Sequence, residues 1–412
     1  MKDNLNILIL GHGDREKALA TALLRSPRCK SLFLQIPEVN QTLTADVNEE
    51  DFDDVARFCS EHDIDILIPG PERLIHAGIR EAIIENPLSE SVKVIAPGRE
   101  GAMLEGSKEY AKEFMMEEGI PSPRFMPVDS ETLDEGLSFL DSLPGPYVLK
   151  ADGLADGKGV FITSDLDDAK DILHRMLEGL LGEASKKVLI EEFVDGAEVT
   201  VMIATDGEDY IILPPARDYK RRFDSDRGPN TRGMGSYSPV GFADAEFMEK
   251  VRKRIIFPTL RGLKSREIPY NGFLYFGLMN IDGEPVLIEY NVRLGDPETQ
   301  AVMPRIESDF MEIIEGIADS TVGLKRIQVS PTASVAVVGL LKTELSRQNS
   351  ANPSDSGKTS EKRITMTGTA PTLEEAAAIA YSHMENLSKS LPTGQSIEYR
   401  SDIAADNASP GS

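Results

Sequence analysis

The stretch LIEYNVRLGDPETQ, residues 287–300, places a group of polar side chains at the end of a short apolar run. Residues 286–288 are β-rich and follow a glycine-containing turn, which predicts a strand. Glu289 and Asn291 stand two positions apart at its end, so strand alternation puts both on one face of a sheet. A carboxylate and a carboxamide oxygen placed together suit Mg²⁺, with Mn²⁺ as an alternative ion, usually shared with substrate phosphates.

The residues after this strand add further charge. Arg293 lies on the same face if the strand continues, and its planar guanidinium could hold a phosphoryl group. Asp296 and Glu298 follow in the sequence GDPE, which breaks the strand and offers two more carboxylates. A strand with a solvated polar face is the competing interpretation, and the other motifs of the chain decide between the two.

The composition is that of a soluble globular protein. A chain of 412 residues with 40% apolar and 27% charged residues predicts about two to four domains. The net charge of −25 argues against nucleic acid or an anionic membrane as partner, because both need a basic surface. Cys29 and Cys59 are too few for a disulfide framework or a structural zinc site. With no signal peptide or membrane-spanning run, we expect a cytoplasmic protein, a monomer or weak homodimer.

The first hundred residues alternate between apolar strands and helical patterns. The alternation predicts a doubly wound parallel sheet covered by helices. We expect strands at 6–10, 31–36, 64–69 and 92–96, and helices at 17–24, 52–62 and 75–85. The first strand leads into GHGDRE, residues 11–16, and a helix N-terminus after such a loop can bind an anion. A nicotinamide cofactor is disfavoured, because Glu16 stands where the dinucleotide fingerprint needs a glycine.

The central part of the chain carries lysines and glycines close together. Residues 104–118 predict a helix, and a strand at 147–150 leads into ADGLADGKG and a return strand at 160–163. This pattern predicts a flexible hairpin lid able to approach phosphate oxygens, and the spacing excludes a Walker A loop. Beyond it, residues 218–237 form a polar, glycine-rich segment with a local group of cations, which predicts an ordered anion-binding loop.

The other predicted elements complete the order of the chain. We expect helices at 167–181 and 244–266 and strands at 187–190, 200–204, 210–213 and 272–279. Residues 344–363 are rich in Ser, Asn, Lys and Pro and predict a disordered loop. A strand at 363–368 and a helix at 372–388, capped by Thr372 with Glu375 at N3, form a terminal unit. The predicted domains are 1–103, 104–325 with a lid lobe at about 122–194, and 326–403, followed by a tail at 404–412.

Seven motifs, in this order and spacing, resemble the ATP-grasp ligases and specifically the glycinamide ribonucleotide synthetase (phosphoribosylamine–glycine ligase) family. They are LEGSK (104–108), KADGLADGKGV (150–160), IEEFVDGAE (190–198), DYKR (218–221), GPNTRGMGSYSPV (228–240), GFLYFGLM (272–279) and IEYNVRLGDPETQ (288–300). The resemblance covers roughly residues 5–335. It implies an α/β ATP-grasp architecture with an N-terminal doubly wound domain, a two-lobed ATP-binding region and a reduced C-terminal α+β domain. The implied reaction joins glycine to 5-phosphoribosylamine in purine biosynthesis, with ATP and Mg²⁺, through a glycyl phosphate.

The resemblance also implies roles for individual residues. Around ATP it implies Lys108, Lys150, Gly157, Lys158, Gly159, Glu191, Glu192, Phe193, Val194 and Glu198. It implies Glu289 and Asn291 for Mg²⁺, and Arg293, Asp218 and Lys220 around the acyl phosphate. The substrate-binding residues that it implies are Gly11, Gly13, Arg15, Glu16, Gly70, Glu72, Asn230, Thr231, Asp296 and Glu298.

The chain departs from the family pattern on the amine side. Asp14 replaces the second of two paired glycines, Arg232 interrupts the family's Thr-Gly-Gly-Met-Gly, and residues 36–40 replace a Pro-Gly-Asn-rich loop. A carboxylate about 5 Å from a phosphate would cost on the order of 3 kcal/mol, offset by a nearby cation such as Arg15 or Arg232. We therefore expect weak use of phosphoribosylamine. A paralogous ligase for another amine or amino acid, or a nucleotide-binding protein without ligase activity, are the alternatives; the retained Glu289 and Asn291 argue against the latter.

Overall fold

The computed structural model describes residues 4–36, 39–153, 159–344 and 359–405. The predicted lid residues Gly157 and Lys158, most of the predicted disordered loop and the end of the tail lie outside the described residues.

The N-terminal residues form a parallel sheet with the strand order β3-β2-β1-β4-β5. Its strands are β1 (Leu5–Leu10), β2 (Cys29–Leu34), β3 (Leu43–Thr44), β4 (Ile66–Pro69) and β5 (Lys93–Val94). The connecting helices are α1 (Asp14–Leu23), α2 (Phe52–Glu61), α3 (Glu72–His76) and α4 (Ile79–Glu85). Strand β1 is buried along its whole length between two apolar clusters, which explains its uninterrupted apolar sequence. The predicted doubly wound domain is confirmed.

Two predicted helices are each divided in the structure. The helix expected over 75–85 is interrupted by Gly78, whose φ of +87° belongs to the left-handed region that favours glycine. The helix expected over 104–118 consists of α5 (Arg99–Gly106) and α6 (Lys108–Glu117). Ser107 lies between them in an extended conformation, and its hydroxyl accepts a hydrogen bond from the Tyr110 N–H, which caps α6.

A separate lobe is built on an antiparallel sheet of order β6-β9-β7-β8. It contains β6 (Phe125–Val128), α7 (Leu133–Ser142), β7 (Tyr147–Ala151), β8 (Val160–Thr163), α8 (Leu166–Leu177) and β9 (Val188–Glu192). Both helices pack on the sheet around Leu140, Leu149 and Leu173, which are fully buried. The lobe thus has a core of its own, and α8 ends before the predicted residue 181.

The segment predicted as a loop over 218–237 is ordered but consists of short strands. It follows β10 (Ala197–Thr205) and β11 (Tyr210–Ile212). Its strands are β12 (Arg217–Asp218), β13 (Arg221–Phe223), β14 (Arg227–Asn230) and β15 (Gly235–Ser238). Strands β13 and β14 form a hairpin whose turn residues Ser225 and Asp226 both have positive φ, as a tight primed turn requires. The prediction that this segment is ordered is therefore confirmed, and the prediction that it is a loop without strands is wrong.

The predicted central strand of the site belongs to an antiparallel sheet of order β11-β10-β16-β17. Before it, the helix expected over 244–266 consists of α9 (Ala245–Val251) and α10 (Phe257–Ser265), joined by a π-helical turn at Arg252–Ile256. Strands β16 (Gly272–Ile281) and β17 (Glu284–Asn291) pair directly, and α11 (Glu298–Val302) and α12 (Phe310–Ala318) follow. Strand β17 ends at Asn291, so Arg293 lies beyond the strand.

The C-terminal unit is a sheet covered by one helix. It contains β18 (Ala333–Glu344), β19 (Thr359–Ala370), α13 (Leu373–Ser390) and β20 (Gln395–Tyr399). Strands β12, β15, β18 and β19 lie side by side in that order, and β20 pairs with β18. The prediction of disorder over 344–363 is wrong for residues 359–363, which belong to β19, and β20 was not predicted. The Thr372 cap is confirmed by its bond from the Glu375 N–H.

No helix in the described part of the chain is long and apolar enough to cross a membrane.

We predict that Arg305 joins the C-terminal unit to the rest of the fold. The Arg305 guanidinium is buried and donates to the carbonyls of Thr332 and Ser330 and to the Ser238 hydroxyl, at 2.7, 3.2 and 2.6 Å. Arg305→Met leaves these acceptors without a donor and should lower the free energy of unfolding by about 3 kcal/mol, as measured by urea titration. The control is Arg326→Met. It removes an exposed arginine that donates to carbonyls of neighbouring residues, so its free energy of unfolding should stay near that of the parent. Equal unfolding midpoints for the two variants would contradict the assignment.

Candidate active site

A cleft of about 530 Å³ lies where α6, the end of β9, β12 and β17 come together. Most of the residues predicted for the site line this cleft. They are Arg15, Glu72, Lys108, Lys150, Gly159, Glu191, Glu192, Phe193, Val194, Glu198, Asp218, Lys220, Asn230, Thr231, Glu289, Asn291, Arg293, Asp296 and Glu298.

One buried carboxylate lies between two ammonium groups at one side of the cleft. Glu191 Oε2 lies 2.5 Å from Lys150 Nζ, and Glu191 Oε1 lies 2.8 Å from Lys112 Nζ. Burial opposes ionisation of Glu191, but Lys150 and Lys112 together hold the pKa of its carboxyl below the ordinary value. Burial also lowers the pKa of Lys112, with Glu191 opposing that shift. Two cations share one anion here, so the group carries surplus positive charge towards the cleft.

Lys108, at the first position of α6, is tied to the beginning of the predicted lid. Its Nζ lies 3.4 Å from the carbonyl oxygens of Asp152 and Gly153. Burial lowers the pKa of Lys108, while Glu289 acts in the opposite direction. On the other side of the segment that lies outside the described residues, the Gly159 carbonyl accepts a bond of 2.7 Å from the Ala151 N–H. The two ends of the lid are therefore held next to the lysines.

The residues predicted to hold the nucleotide base lie where β9 ends. The side chains of Glu191 and Glu192 both face cations, since Glu192 forms a two-point pair with Arg124 at 2.8 and 3.2 Å. Contact with a base at this strand is thus left to the backbone and to apolar neighbours. The apolar side chains that line the cleft include Val148, Ile162, Phe193, Val194, Met279 and Ile288.

Several carboxylates of the cleft lie near Lys220. Lys220 Nζ lies 3.3 Å from Glu289 Oε1 and 3.9 Å from Glu198 Oε2. Lys220 lowers the pKa of Glu289 to about 2 against the effect of burial, so Glu289 is ionised at neutral pH. Burial raises the pKa of Asp218; Lys220 opposes this and Glu298 adds to it. Lys150 and Lys108 also help to lower the pKa of Glu289, so the carboxylates and the lysines of the cleft act on one another.

Glu298 is held at the base of the same group. The Thr200 hydroxyl lies 3.0 Å from both Glu298 Oε1 and the Tyr275 hydroxyl. Burial raises the pKa of Glu298. Glu298 helps to raise the pKa of Asp218, so it belongs to the same group of carboxylates.

The donor groups of this side fit a hard divalent cation. Glu289 supplies an ionised carboxylate and Asn291 a carboxamide oxygen, and both are ligand types that Mg²⁺ prefers. The Glu289 carboxylate already attracts one cation, the ammonium group of Lys220. Asn291 Oδ1 also accepts a bond of 3.3 Å from Arg293. Within the described residues, no group of three or more His, Cys, Asp or Glu side chains is arranged to hold a metal alone. The assignment of Glu289 and Asn291 to Mg²⁺ therefore stays a prediction, with phosphate oxygens needed to complete the ligand set.

Arg293 connects the end of β17 to the N-terminal half of the chain. Its Nη2 donates to Glu105 Oε1 at 2.9 Å, and its Nε lies 3.3 Å from Glu72 Oε2. The other Glu105 oxygen accepts from the Val292 N–H at 2.8 Å. Burial opposes the charge of Arg293, but Glu105 and Glu72 outweigh it and raise the pKa of the guanidinium. Two nitrogens of the Arg293 guanidinium, which was predicted to hold a phosphoryl group, thus face carboxylates of the protein.

Three guanidinium groups act on Glu72 at this end of the cleft. Burial opposes the ionisation of Glu72, but Arg293, Arg15 and Arg232 together hold the pKa of its carboxyl below the ordinary value. Arg15 also donates to the Leu294 carbonyl at 3.3 Å. Arg15, Glu72, Arg232 and Arg293 all line the cleft, so this end of it presents guanidinium groups, which suit an anionic ligand.

The glycines of the first loop pack around the carboxylate of Glu16. The Gly13 N–H donates to Glu16 Oε2 at 2.8 Å, and Arg15 Nε donates to Glu16 Oε1 at 2.7 Å. A Cβ atom at Gly11, Gly13 or Gly70 would overlap atoms of the Glu16 carboxyl group or its methylene. Glu16 therefore shapes the loop and orients Arg15, while substrate contact by Glu16 and these glycines stays a prediction.

The Asp14 carboxylate does not line the cleft and is bonded to other parts of the protein. Its Oδ2 accepts a bond of 2.7 Å from the Thr365 N–H of β19, and its Oδ1 accepts from Lys17 at 2.9 Å. Lys17, rather than Arg15 or Arg232, thus offsets the charge. Asp14 joins α1 to the C-terminal unit, which removes the main reason for expecting repulsion of a phosphate.

Among the site residues that were not predicted are two with buried charged partners, Lys112 and Glu105. Lys112 stands four positions after Lys108, so both lie on one face of α6, and that spacing was the available signal. Glu105 lies inside the LEGSK motif, but its partner Arg293 is 188 positions away, and no local pattern joins them.

Comparison with known proteins identifies close relatives. The family models of the phosphoribosylglycinamide synthetase N domain and ATP-grasp (A) domain match residues 5–105 and 106–299. The phosphoribosylamine–glycine ligase of Vibrio vulnificus is 37% identical over 341 residues, which covers 81% of this chain and 78% of the relative. The enzyme of that name from Pasteurella multocida is 36% identical, with the same coverage.

Solved structures give the same result. The crystal structure of a phosphoribosylamine–glycine ligase from Thermotoga maritima has a TM-score of 0.76 and 30% identity and covers 97% of this chain and 100% of its own. The biotin carboxylase domain of the Hydrogenobacter thermophilus 2-oxoglutarate carboxylase has a TM-score of 0.64 at 14% identity, covering 96% of this chain and 92% of its own. The latter likeness is one of fold.

The depressed pKa of Glu289 predicts a pH-dependent contribution to stability. Ionised Glu289 stabilises the folded protein fully above the unfolded pKa of about 4.5, and this is lost as the pH falls towards its folded pKa of about 2. Glu289→Gln should therefore be less stable than the parent at neutral pH, and the difference should shrink below about pH 4.5. Urea unfolding of both proteins over this range measures it. A stability difference that is the same at every pH would contradict the assigned pKa.

Proposed function

This chain belongs to the phosphoribosylamine–glycine ligase family, and we propose that its central cleft joins glycine to 5-phosphoribosylamine at the expense of ATP, a step of purine biosynthesis. The observation that carries the proposal is that one cleft holds a group of lysines and a group of carboxylates within electrostatic reach of each other. Lys108 and Lys150 line the same cleft as the carboxylates near Lys220, and both lysines help to lower the pKa of Glu289. Phosphoryl transfer depends mainly on such positioning and charge compensation.

ATP is proposed to lie between the β9 end and the lysines. The base would contact the backbone after Glu191 and the apolar side chains beside Phe193, and Glu198 would reach the ribose. Lys108 and Lys150 would contact the phosphates, with Gly157, Lys158 and Gly159 closing over them. Support comes from Lys112, which offsets part of the Glu191 charge and so leaves the Lys150 ammonium able to attract phosphate.

Glu289 and Asn291 are proposed to hold Mg²⁺ together with phosphate oxygens of ATP. When bound, Mg²⁺ would neutralise charge that develops on the transferred phosphoryl group. Lys220 already lies 3.3 Å from Glu289, so its ammonium would help to keep negative groups of substrate and protein together. Arg293, held by Glu105 and Glu72 just beyond the same end of β17, would support the same phosphoryl group.

The chemistry then follows in two steps. A carboxylate oxygen of glycine attacks the γ-phosphorus of ATP, and ADP leaves with the electrons of the broken bond, giving glycyl phosphate. The amine of phosphoribosylamine attacks the glycyl carbonyl carbon, loses a proton and displaces inorganic phosphate. Asp218 is proposed to accept that proton, because burial raises the pKa of its carboxyl and makes it a stronger base than an ordinary aspartate.

The phosphorylated amine is proposed to lie at the end of the cleft where Arg15, Arg232 and Arg293 surround Glu72. The local positive charge suits the ribose phosphate, with Asn230, Thr231 and Asp296 near the reacting groups. Neither alternative drawn from the sequence is favoured by a contact in the structure. Asp14, one of the three departures that motivated them, is bonded to Thr365 and Lys17. We further propose a cytoplasmic protein with small-molecule partners, a monomer or weak homodimer.

We predict that Glu289→Gln lowers turnover by at least about a hundredfold, because it removes charge compensation at the transferred phosphoryl group. Phosphate release at several Mg²⁺ concentrations, with circular dichroism as a check on folding, measures the effect. The matched control is Glu284→Gln on the same strand, where a half-exposed carboxylate pairs with Lys250. Near-normal turnover of Glu289→Gln at moderate Mg²⁺ would refute the metal assignment.

We also predict that Lys112→Met weakens ATP binding. Without Lys112, Glu191 is left with Lys150 alone, and the net positive charge that faces the phosphates falls by one. The Kd for ATP, measured by calorimetry, should rise about tenfold, equivalent to about 1.4 kcal/mol. Lys253→Met, which removes an exposed ammonium, is the control. An unchanged Kd in Lys112→Met would show that Lys112 has no part in phosphate binding.

A further inference from the structure

The hairpin of β13 and β14 is held at its turn by the residues that follow β20. The Ser401 N–H and hydroxyl donate to the two Asp224 oxygens at 2.8 and 2.5 Å. The Ser225 N–H donates to Asp402 Oδ2 at 2.8 Å. Because Ser225 occupies the left-handed region, these bonds hold a turn that is otherwise open to other conformations.

Arg400 is the centre of this contact. Its side chain is 1% exposed, although it lies close to the C-terminus. The guanidinium forms a two-point pair with Asp402, both bonds at 2.7 Å, and its Nη1 donates to Asp226 at 2.6 Å and to the Arg221 carbonyl at 3.1 Å. Burial opposes the charge, but Asp402 and Asp226 outweigh it and raise the pKa of Arg400.

The same guanidinium contacts the strand that leads into the cleft. Its central carbon lies 4.7 Å from the centre of the Tyr219 ring, within the range of a cation–π contact. The Tyr219 hydroxyl accepts a bond of 3.0 Å from the Ala404 N–H. Tyr219 stands between Asp218 and Lys220, so a displacement of Tyr219 would also move the backbone that carries those two side chains.

The base of the hairpin lies in the cleft. The Lys220 carbonyl accepts a bond of 2.7 Å from the Thr231 N–H, and Arg221 pairs with Asn230. Lys220, Asn230 and Thr231 all line the cleft. A shift at the turn would therefore be transmitted along two short strands to the side chains around the reacting groups.

We propose that Arg400 is a positioning residue for the amine-side step: it holds the hairpin so that Asp218, Lys220 and Thr231 face phosphoribosylamine and the acyl phosphate. The statement rests on the proposed function of the cleft. The planar fork of arginine meets Asp402 through two nitrogens and still reaches Asp226 and the Arg221 carbonyl, which an ammonium group does not match. The inference predicts an effect on the amine step and little effect on ATP, whose proposed contacts lie on other elements.

The test compares Arg400→Met and Arg400→Lys with the parent. Arg400→Met should lower kcat/KM for phosphoribosylamine by about a hundredfold, since small displacements of reacting groups cost that much, while the KM for ATP stays within about twofold. Arg400→Lys should recover part of the loss. The control Lys389→Met removes an exposed lysine of α13 and should behave as the parent. Asp226→Asn is a milder variant, since it weakens one bond of Arg400 to the turn and leaves Arg400 paired with Asp402.

Hydrogen exchange provides a readout that does not need turnover. Amides of residues 219–231 should exchange faster in Arg400→Met and in Asp226→Asn, while those of β9 stay as protected as in the parent. Unchanged exchange at 219–231, or an equal loss of ATP binding and amine use in every variant, overturns the proposal. A parent without glycine- and amine-dependent turnover would refute the proposed function, and exchange at 219–231 would then decide the positioning role by itself.

Discussion

The Glu191 carboxylate, shared by the ammonium groups of Lys112 and Lys150, is the interaction on which the nucleotide side of the cleft depends. It joins three elements, since Lys112 belongs to α6, Lys150 to β7 and Glu191 to β9. Removing one partner of a buried ion pair typically costs about 3–5 kcal/mol, because the remaining charge is left without compensation. The group therefore fixes the lobe of β6–β9 against α6 and, at the same time, directs surplus positive charge towards the place proposed for phosphates.

The same cleft also holds a group of carboxylates. Glu198, Asp218, Glu289 and Glu298 lie near the Lys220 ammonium, Lys108 and Lys150 also act on Glu289, and the cleft is proposed to be completed by Mg²⁺ and ATP together. This arrangement explains how a chain with a net charge of −25 can bind an anionic nucleotide. The relevant charges are a few buried lysines and arginines close to the ligand, while most of the acidic residues lie elsewhere on the surface and are screened by salt.

The sequence predicted the parts of the site that lie within short motifs. Strand alternation placed Glu289 and Asn291 together, and the order of the lysine and glycine motifs predicted the ATP-grasp fold. Short motifs do not predict contacts between residues that are far apart in the sequence. The roles of Lys112 and Glu105 follow from their buried partners Glu191 and Arg293, which only the structure shows. Arg400 is 179 positions from the Arg221 carbonyl that it contacts, and no predicted helix or strand included it. Asp14 was interpreted by its distance from a supposed phosphate, whereas its partner Thr365 lies 351 positions away.

The identity of the products tests the central claim most directly. The purified chain should be supplied with ATP, Mg²⁺, isotopically labelled glycine and freshly prepared phosphoribosylamine, and all products should be quantified together. The account predicts equal amounts of ADP, inorganic phosphate and labelled glycinamide ribonucleotide, and none of them in quantity when glycine or the amine is omitted. ADP formation that does not depend on phosphoribosylamine, or the label appearing on a different amine, would contradict it.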